Sequence, residues 1–252
     1  MNLEQLHSLS LELAKTKPAG VYPISVDNQK YWVKVCGEDK KTLTRMLSAY
    51  LSQFNMMRFL RTNATKSAQQ RFEEEVSIMS RLAEQGVPVP ALVAKTAQYY
   101  VTLDSGRTLN SVEPEQLPLD LSDKVFELFA SLHQIEIVHG RPAMRDILLQ
   151  SDGSVALIDF EESMPAPSPQ MMARDMFLLL MDFCRLPQVT EEDKLRGLAL
   201  WHQRVGDSAW QELKRIARLL NRFRFVAKAI LLFKDNRTSK QILNALALIE
   251  RI

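Results

Sequence analysis

The apolar residues of this chain follow two periods, that of an amphipathic helix and that of a β-strand. Leucines at positions 3, 6, 9 and 13 stand among polar residues, which is helical spacing. The next run, VYPISVDNQKYWVKV at residues 21–35, has two apolar stretches around DNQ and predicts a β-hairpin. Helical spacing returns between residues 40 and 71 and continues through RFEEEVSIMSRLAEQG, which ends at Gly86.

The middle of the chain has the pattern of strands around a single helix. Prolines at positions 88 and 90 in VPVPALV forbid a helix, and YYVTLDSG at 99–106 predicts a further strand. The segment LSDKVFELFASLHQIEI predicts a helix with Ser122 as its N-cap. The run ILLQSDGSVALIDF at 147–160 predicts a second hairpin that turns at Asp152-Gly153.

From about Ala173 to the end the pattern is helical, with breaks near Pro187, Gly206 and Asn236. A chain that forms its strands first and most of its helices later favours a small sheet-rich lobe followed by a helical lobe, in the α+β class. The most apolar windows, MFLLLM and FVAKAILLF, are far shorter than the ~18 residues that a membrane-spanning helix needs.

Composition narrows the class of protein only a little. The formal net charge is +2, so bulk charge does not indicate a nucleic-acid or membrane partner. The two cysteines, Cys36 and Cys184, match no metal-binding or disulfide spacing, which favours a reducing compartment. The N-terminal segment lacks the basic and continuously apolar regions of a signal peptide. We therefore expect a cytoplasmic protein.

Candidate chemistry is concentrated in HGRPAMRDILLQSDGSVALIDFEE, which runs from His139 to Glu162. Phosphoryl transfer from ATP needs a cation on the phosphates, carboxylates that hold a metal ion, and a group that orients the nucleophile. Asp146 and Asp159 flank the predicted hairpin, a spacing that lets two carboxylates converge on one metal ion.

The longer segment SLHQIEIVHGRPAMRDILLQSDGSVALIDFEES resembles the catalytic segment of the protein-kinase-like fold. It is most similar to the compact prokaryotic branch that contains lipopolysaccharide core kinases, Kdo kinases and RIO-type kinases. The resemblance covers roughly residues 20–185 and implies a bilobal fold. Its expected parts are an N-lobe at 1–101 with a basic helical insertion at about 40–71, a hinge at 102–106 and a helical C-lobe at 107–252.

The same resemblance implies a set of site residues. Lys34 in YWVKV is similar to the strand lysine that binds ATP phosphates, and Glu75 in FEEEVSIM to its helix partner. Taken alone, the two would read as an exposed strand residue and part of a solvated helix face. The remaining implied residues are Thr102, Leu103 and Asp104 for the nucleotide, Asp146 and Asp159 for Mg²⁺, and Asp175 as the buried aspartate of the C-lobe.

Three departures from the family pattern bear on activity. Arg141 stands where the family has its catalytic aspartate, and an arginine stays protonated and cannot act as a base. Asp146 replaces the metal-binding asparagine, and Glu161 replaces the glycine after the motif aspartate and phenylalanine. The glycine-rich phosphate loop is missing, with only Gly20 in its place. Arg141 can still serve as an electrophilic clamp on the transferring phosphate, while Asp146 or Glu161 steers the acceptor hydroxyl.

Two functions follow from these residues. The first is an ATP- and Mg²⁺-dependent phosphotransferase of the lipopolysaccharide-kinase type, acting on a small-molecule or glycolipid hydroxyl. The alternative is a pseudokinase, a nucleotide-binding or nucleotide-free module whose output is contact with a partner protein. Because general acid–base catalysis supplies only ~10²–10⁴-fold of the rate, loss of the base leaves a slow kinase open.

Two segments are strongly basic. Residues 40–71 have seven basic side chains and no acidic one, and residues 214–240 have nine against Asp235 alone. The favoured reading is the solvated back of helices packed on the core. The other reading is docking to an anionic glycolipid or to the inner face of a membrane. Nucleic acid is disfavoured because aromatic residues that could stack on bases are few.

Overall fold

The computed structural model describes residues 2–37 and 66–252. The chain divides into two units, the first of which runs to Arg107 and also includes Leu148–Asp152 and Ala156–Ser163. The second unit consists of Thr108–Ile147, Gly153–Val155 and Met164–Ile252. An antiparallel sheet characterises the first unit and helices dominate the second, which confirms the predicted α+β class and its bilobal character. The hinge at 102–106 remains a prediction.

The first unit is built on a four-stranded antiparallel sheet with the strand order β1-β2-β4-β3. Its elements are α1 (Leu3–Thr16), β1 (Gly20–Val26), β2 (Gln29–Val35), α2 (Ala68–Glu84), β3 (Leu92–Lys95) and β4 (Tyr99–Leu103). The predicted 21–35 hairpin is confirmed, with β1 and β2 joined by Asp27 and Asn28, both at positive φ. This is the backbone conformation that a two-residue hairpin turn requires.

Alternation along β2 determines which side chains enter the core of this unit. Tyr31, Val33 and Val35 are buried in a cluster that also contains Leu6 of α1. Because successive residues of a strand point to opposite faces, Lys34 lies on the other face of the sheet.

Helix α2 places an acidic side chain in the core. Ser67 and Gln70 form a capping box at its start, and Gly86, with φ of 74°, follows its end. Its buried face includes Phe72 and Val76, and Glu75 lies between them in sequence and is also fully buried. A carboxylate on that face requires a partner, since burying an unpaired charge is costly.

The helices of the second unit are α3 (Leu121–Gln134), α4 (Pro169–Phe183), α5 (Glu191–Val205), α6 (Asp207–Asn221), α7 (Arg224–Phe233) and α8 (Arg237–Ile249). The described chain also contains five short strands, namely β5 (Arg107–Thr108), β6 (Ile137–Val138), β7 (Ile147–Leu149), β8 (Val155–Leu157) and β9 (Met164–Pro165). Strands β5, β7 and β8 form one small sheet in that order, and β6 pairs with β9. The predicted 147–160 hairpin is therefore confirmed.

Close packing of α3 against α5 depends on a glycine. A Cβ atom at Gly197 of α5 would lie 2.5 Å from the ring of Phe126 on α3, so a larger residue there would force the helices apart. Nearby, Trp201 of α5 donates a hydrogen bond to Nδ1 of His133 on α3. Both side chains are buried, and this bond gives the indole N–H an acceptor that it would otherwise lack in the core.

Two local predictions are corrected. Ser122 is not the N-cap of α3: Asp120 occupies that position, and the Ser122 hydroxyl donates to the carbonyl of Asp193. The stretch between the predicted breaks at Gly206 and Asn236 is not one helix, because α6 ends at Asn221 and α7 begins at Arg224. Most of α7 is exposed. The predicted helical insertion at 40–71 lies outside the described residues up to position 65. None of the helices in the described ranges has the length and apolar character of a membrane span.

Candidate active site

Lys34 of β2 and Glu75 of α2 form an ion pair inside the first unit. The Lys34 ammonium lies 2.8 Å from each carboxylate oxygen of Glu75 and donates a hydrogen bond to Oε1. The Glu75 side chain is completely buried and that of Lys34 is 13% exposed. The pair that the sequence predicted from resemblance is therefore brought together, with the lysine as its accessible member.

Glu75 has two further partners. The Tyr100 hydroxyl donates to Oε1 over 3.0 Å, and the backbone N–H of Phe160 donates to the same oxygen over 3.3 Å. Tyr100 is the residue directly opposite Lys34 in the β2–β4 register, so both point to the same face of the sheet. These bonds hold the carboxylate in one orientation beneath the lysine.

The carboxylates around Lys34 keep its ammonium group protonated. Burial alone lowers the pKa of Lys34, but the carboxylates around it, led by Glu75, reverse the effect and raise that pKa above its ordinary value. Burial raises the pKa of Glu75, and the adjacent lysine opposes that rise. Burial and Glu75 also raise the pKa of Tyr100 well above its usual range. Lys34 is thus a permanent positive charge at neutral pH.

Two more carboxylates surround the exposed side of Lys34. Its ammonium lies 3.0 Å from Oε1 of Glu161 and 3.5 Å from Oδ1 of Asp159. Both acidic side chains are nearly half exposed. Asp159 has φ of 65°, the left-handed region that non-glycine residues seldom occupy. Such outliers are concentrated at functional sites, and here the unusual backbone belongs to the predicted metal ligand.

The predicted nucleotide-binding residues Thr102, Leu103 and Asp104 lie at the end of β4. The N–H of Leu103 donates to the carbonyl of Ala91 and that of Asp104 to the carbonyl of Lys30. The Asp104 carboxylate accepts a hydrogen bond from the indole of Trp32. Since these donors are already used within the first unit, Leu103 and Asp104 can offer a nucleotide only acceptor atoms and apolar contact.

The loop at 139–146 belongs to the second unit, where Asp175 of α4 holds it. One carboxylate oxygen of Asp175 accepts from the N–H of His139 at 2.6 Å, and the other accepts from the N–H of Gly140 at 3.0 Å. Asp175 is fully buried, as the resemblance implies. Further along the loop, Asp146 is also buried and accepts a hydrogen bond from Nε of Arg145, whereas Arg141 is exposed.

The residues of the first unit fit a nucleotide with a divalent cation. Lys34 supplies one positive charge among the three negative charges of Glu75, Asp159 and Glu161, so a polyphosphate could not approach without additional cations. Mg²⁺ is usually held by one or two carboxylates together with substrate phosphates. Asp159 and Glu161 provide such carboxylates, although no group of three or more potential metal ligands occurs in the described ranges.

The sequence did not identify all the residues that hold the pair in place. Tyr100 was missed, although strand alternation and its position opposite Lys34 carry the signal. The sequence could not indicate the bond from the backbone N–H of Phe160, because that bond depends on the backbone conformation after Asp159.

A strand lysine paired with a buried helix glutamate, in an α+β chain of two units, defines the protein-kinase-like class of ATP-binding phosphotransferases. Residues 20–195 match the RIO domain, and the chain belongs to this atypical kinase-like family. It is also similar to an uncharacterized protein of Haemophilus influenzae, with 26% identity over 230 residues that cover 88% of this chain and 85% of that protein. The expected relationship to RIO-type kinases is thereby confirmed.

Proposed function

We propose that this protein is an ATP- and Mg²⁺-dependent phosphotransferase that acts on a hydroxyl group of a small molecule or glycolipid. The observation that carries the proposal is the buried Lys34–Glu75 pair with Asp159 and Glu161 beside it. In this function the accessible lysine binds ATP phosphates, and Thr102, Leu103 and Asp104 contact the rest of the nucleotide.

The family resemblance supports Asp146 and Asp159 as the proposed Mg²⁺ ligands, and Asp159 lies beside Lys34 in the first unit. Glu161 is proposed as a third source of carboxylate oxygens, in the position where the family pattern has glycine. The bound cation would offset the negative charge that surrounds Lys34 and the negative charge of the phosphates.

The transfer itself has to proceed without a base at position 141. The bond from the γ-phosphorus to ADP breaks while a bond to the acceptor oxygen forms, and the hydroxyl proton passes to Asp146, Glu161 or water. Positioning and charge stabilisation supply most of the acceleration of such reactions. We expect a turnover reduced by about 10²–10⁴-fold relative to an enzyme with a base.

A glycolipid acceptor is supported by an exposed apolar surface on the second unit. Six of the nine large apolar side chains that are exposed in the described ranges lie between Phe223 and Phe233. Residues 222–240 also contain six basic side chains and only Asp235 as an acidic one. Apolar side chains interspersed with basic ones suit an anionic lipid surface. The favoured sequence reading, a packed apolar face with a solvated basic back, is wrong for α7.

Lipid vesicles test this surface. We expect sedimentation with vesicles rich in phosphatidylglycerol and little with phosphatidylcholine alone. Replacing both Phe225 and Phe233 by serine should weaken binding roughly 100-fold or more, since each buried phenylalanine contributes about 1.5–3 kcal/mol. Leu119→Ser is the matched control, because that leucine is almost completely exposed outside this surface. Equal binding by all variants would remove the support for a lipid acceptor.

A second candidate function is a pseudokinase that binds a partner protein. Arg141 favours it, because that side chain is exposed where the family has its catalytic aspartate. Nucleotide binding without turnover, in the presence of a broad set of hydroxyl acceptors, would select this alternative.

Thermal unfolding with and without MgATP is the first test of the nucleotide site. A ligand at about 100 times its dissociation constant adds about 2.7 kcal/mol, which is roughly 5–10 °C at this chain length. The shift should require Mg²⁺ and disappear in Asp159→Ala, but persist in Asp152→Ala, which changes the other aspartate of the hairpin. Absence of a shift with the unmodified protein at millimolar MgATP would refute the proposed function.

A further inference from the structure

A cavity of about 370 Å³ is lined by described residues of the second unit. Most of these residues belong to the 139–146 loop and to α4. The polar side chains that line it are Asn110, Arg141, Arg145, Asp182, Arg185 and Gln241. Three arginines therefore line one small volume, together with two residues whose side-chain amides can also donate hydrogen bonds.

Asp182, the one acidic residue among the described residues that line the cavity, already has hydrogen-bond partners. Asp182 accepts a hydrogen bond from the N–H of Met144 at 2.7 Å and from Arg185 at 2.9 Å. Arg145 donates through Nε to Asp146, and its terminal nitrogens are not part of that bond. Two of the three arginines thus have one carboxylate each, which leaves an excess positive charge in the cavity.

Arg141 is the source of that excess. Its side chain is exposed and makes no hydrogen bond or ion pair with the described residues. Its backbone is nevertheless fixed, because Asp175 holds the two preceding N–H groups and Pro142 restricts the chain after it. A charge on a fixed backbone, with no partner among residues 2–37 and 66–252, is preorganised to bind an external anion.

We propose that this cavity binds the phosphate group of a phosphorylated ligand, and that Arg141 is its principal contact. A single arginine is enough for a carboxylate, whereas a phosphate monoester has three acceptor oxygens and nearly two charges at neutral pH. The cavity is larger than a phosphate ion and falls in the range of small-molecule sites. Leu178 and Met181, also in its lining, would contact the organic part of the ligand.

This inference deepens the proposed function, on which one part of it rests: the phosphorylated ligand is the acceptor, anchored beside Asp146. Arg141 then holds a phosphate that the acceptor already has, and does not clamp the phosphate being transferred. An anchor of this kind acts on acceptor affinity, so Arg141→Gln should raise the acceptor KM with little change in kcat. A clamp would instead lower kcat.

Binding is measured on the full chain without nucleotide, which separates the anion site from the kinase activity. Inorganic phosphate and glycerol 3-phosphate are titrated by calorimetry or phosphorus NMR, with glycerol as the uncharged control. We expect Arg141→Gln to weaken glycerol 3-phosphate binding roughly tenfold or more, as loss of a charge-assisted hydrogen bond does. Arg204→Gln is the matched control, since Arg204 is partly exposed and pairs with Glu127 outside the cavity.

Vesicles containing phosphatidic acid provide the lipid arm of the test. If they bind in an Arg141-dependent manner and the soluble phosphates do not, the phosphate belongs to a lipid headgroup. Binding of the soluble phosphates with the same dependence assigns it to a small molecule. Equal binding by Arg141→Gln and the unmodified protein, or no binding of any phosphate at millimolar concentration, overturns the proposal. Phosphate binding by a protein that shows no MgATP shift would preserve the anion site and refute the kinase function alone.

Discussion

Replacing Lys34 by methionine tests whether the buried ion pair holds the first unit together. Methionine is close to lysine in length and removes the charge while keeping most of the apolar stem. Glu75, which is completely buried, would then keep its bonds from Tyr100 and Phe160 but lose the ammonium group that lies 2.8 Å from each of its carboxylate oxygens. The perturbation therefore leaves a charge in the core without creating a large cavity.

The size of the effect follows from this burial. Breaking a buried pair by removing one partner typically costs about 3–5 kcal/mol, because the remaining charge is uncompensated. At 2–4 °C per kcal/mol for a chain of this length, the melting temperature should fall by roughly 6–20 °C. A pair closer to solvent supplies the matched control: Lys30 of the same strand is about half exposed and lies 3.5 Å from Asp104, so Lys30→Met should cost less than about 1 kcal/mol.

The loss should depend on pH in a defined direction. Burial raises the pKa of Glu75 and Lys34 opposes that rise, so removing the lysine raises the pKa further. A carboxyl whose folded pKa lies above its unfolded value is protonated without penalty below the unfolded value, near pH 4.5. The stability difference between variant and unmodified protein should thus be largest at neutral pH and shrink as pH falls toward that value.

Urea denaturation followed by circular dichroism at several pH values is the measurement. The double variant Lys34→Met/Glu75→Gln should recover much of the lost stability, since a neutral amide oxygen can still accept from Tyr100 and Phe160. A Lys34→Met protein within about 0.5 kcal/mol of the unmodified one at pH 7 would refute the reasoning, because that is the scatter expected of surface substitutions. A loss that grows on acidification would refute it equally.

Three further changes have definite expected outcomes. Thr190→Ala removes the capping box at the start of α5 and should cost about 1 kcal/mol in urea denaturation, with Thr190→Ser close to the unmodified protein. Gly106→Ala should cost roughly 2–5 kcal/mol, since φ is 135° and the added Cβ would lie 2.2 Å from the Leu149 carbonyl; an equal melting temperature would contradict this. Asp175→Asn loses one charge-assisted acceptor of the 139–140 backbone, so amide hydrogen exchange there should accelerate severalfold.

Much of the first unit was predictable because local rules and tertiary packing agree there. The 21–35 hairpin has Asp and Asn at the positive-φ turn and alternating apolar residues after it, so turn chemistry and strand period give the same answer. Lys34 could be placed on the face opposite the core for the same reason. Its pairing with Glu75 could not be obtained from period alone and required the resemblance to kinases.

The predictions that failed concern features that depend on tertiary contacts, which a sequence pattern does not show. Ser122 has the chemistry of an N-cap, but its hydroxyl bonds to α5, so a tertiary contact overrode the local preference. The apolar residues of α7 have helical period, but period does not say whether an apolar face finds a protein partner. The residues that line the cavity around Arg141 are spread in sequence from Asn110 to Gln241, and only the tertiary structure shows that they are neighbours.

Arg141 makes sense physically if its charge, and not proton transfer, is what the 139–146 loop provides. A guanidinium cannot accept a proton from a hydroxyl, so a role in chemistry has to come from its positive charge. Two backbone bonds to Asp175 fix the loop just before it, and the other two arginines of the cavity are paired, Arg145 with Asp146 and Arg185 with Asp182. An arginine that had merely replaced a discarded base would not need that rigid support. Its charge, which has no partner in the part of the chain that the structure describes, instead favours an anionic ligand. Glycerol 3-phosphate binding that depends on Arg141 would support this role, whereas equal binding by Arg141→Gln would indicate a replaced base.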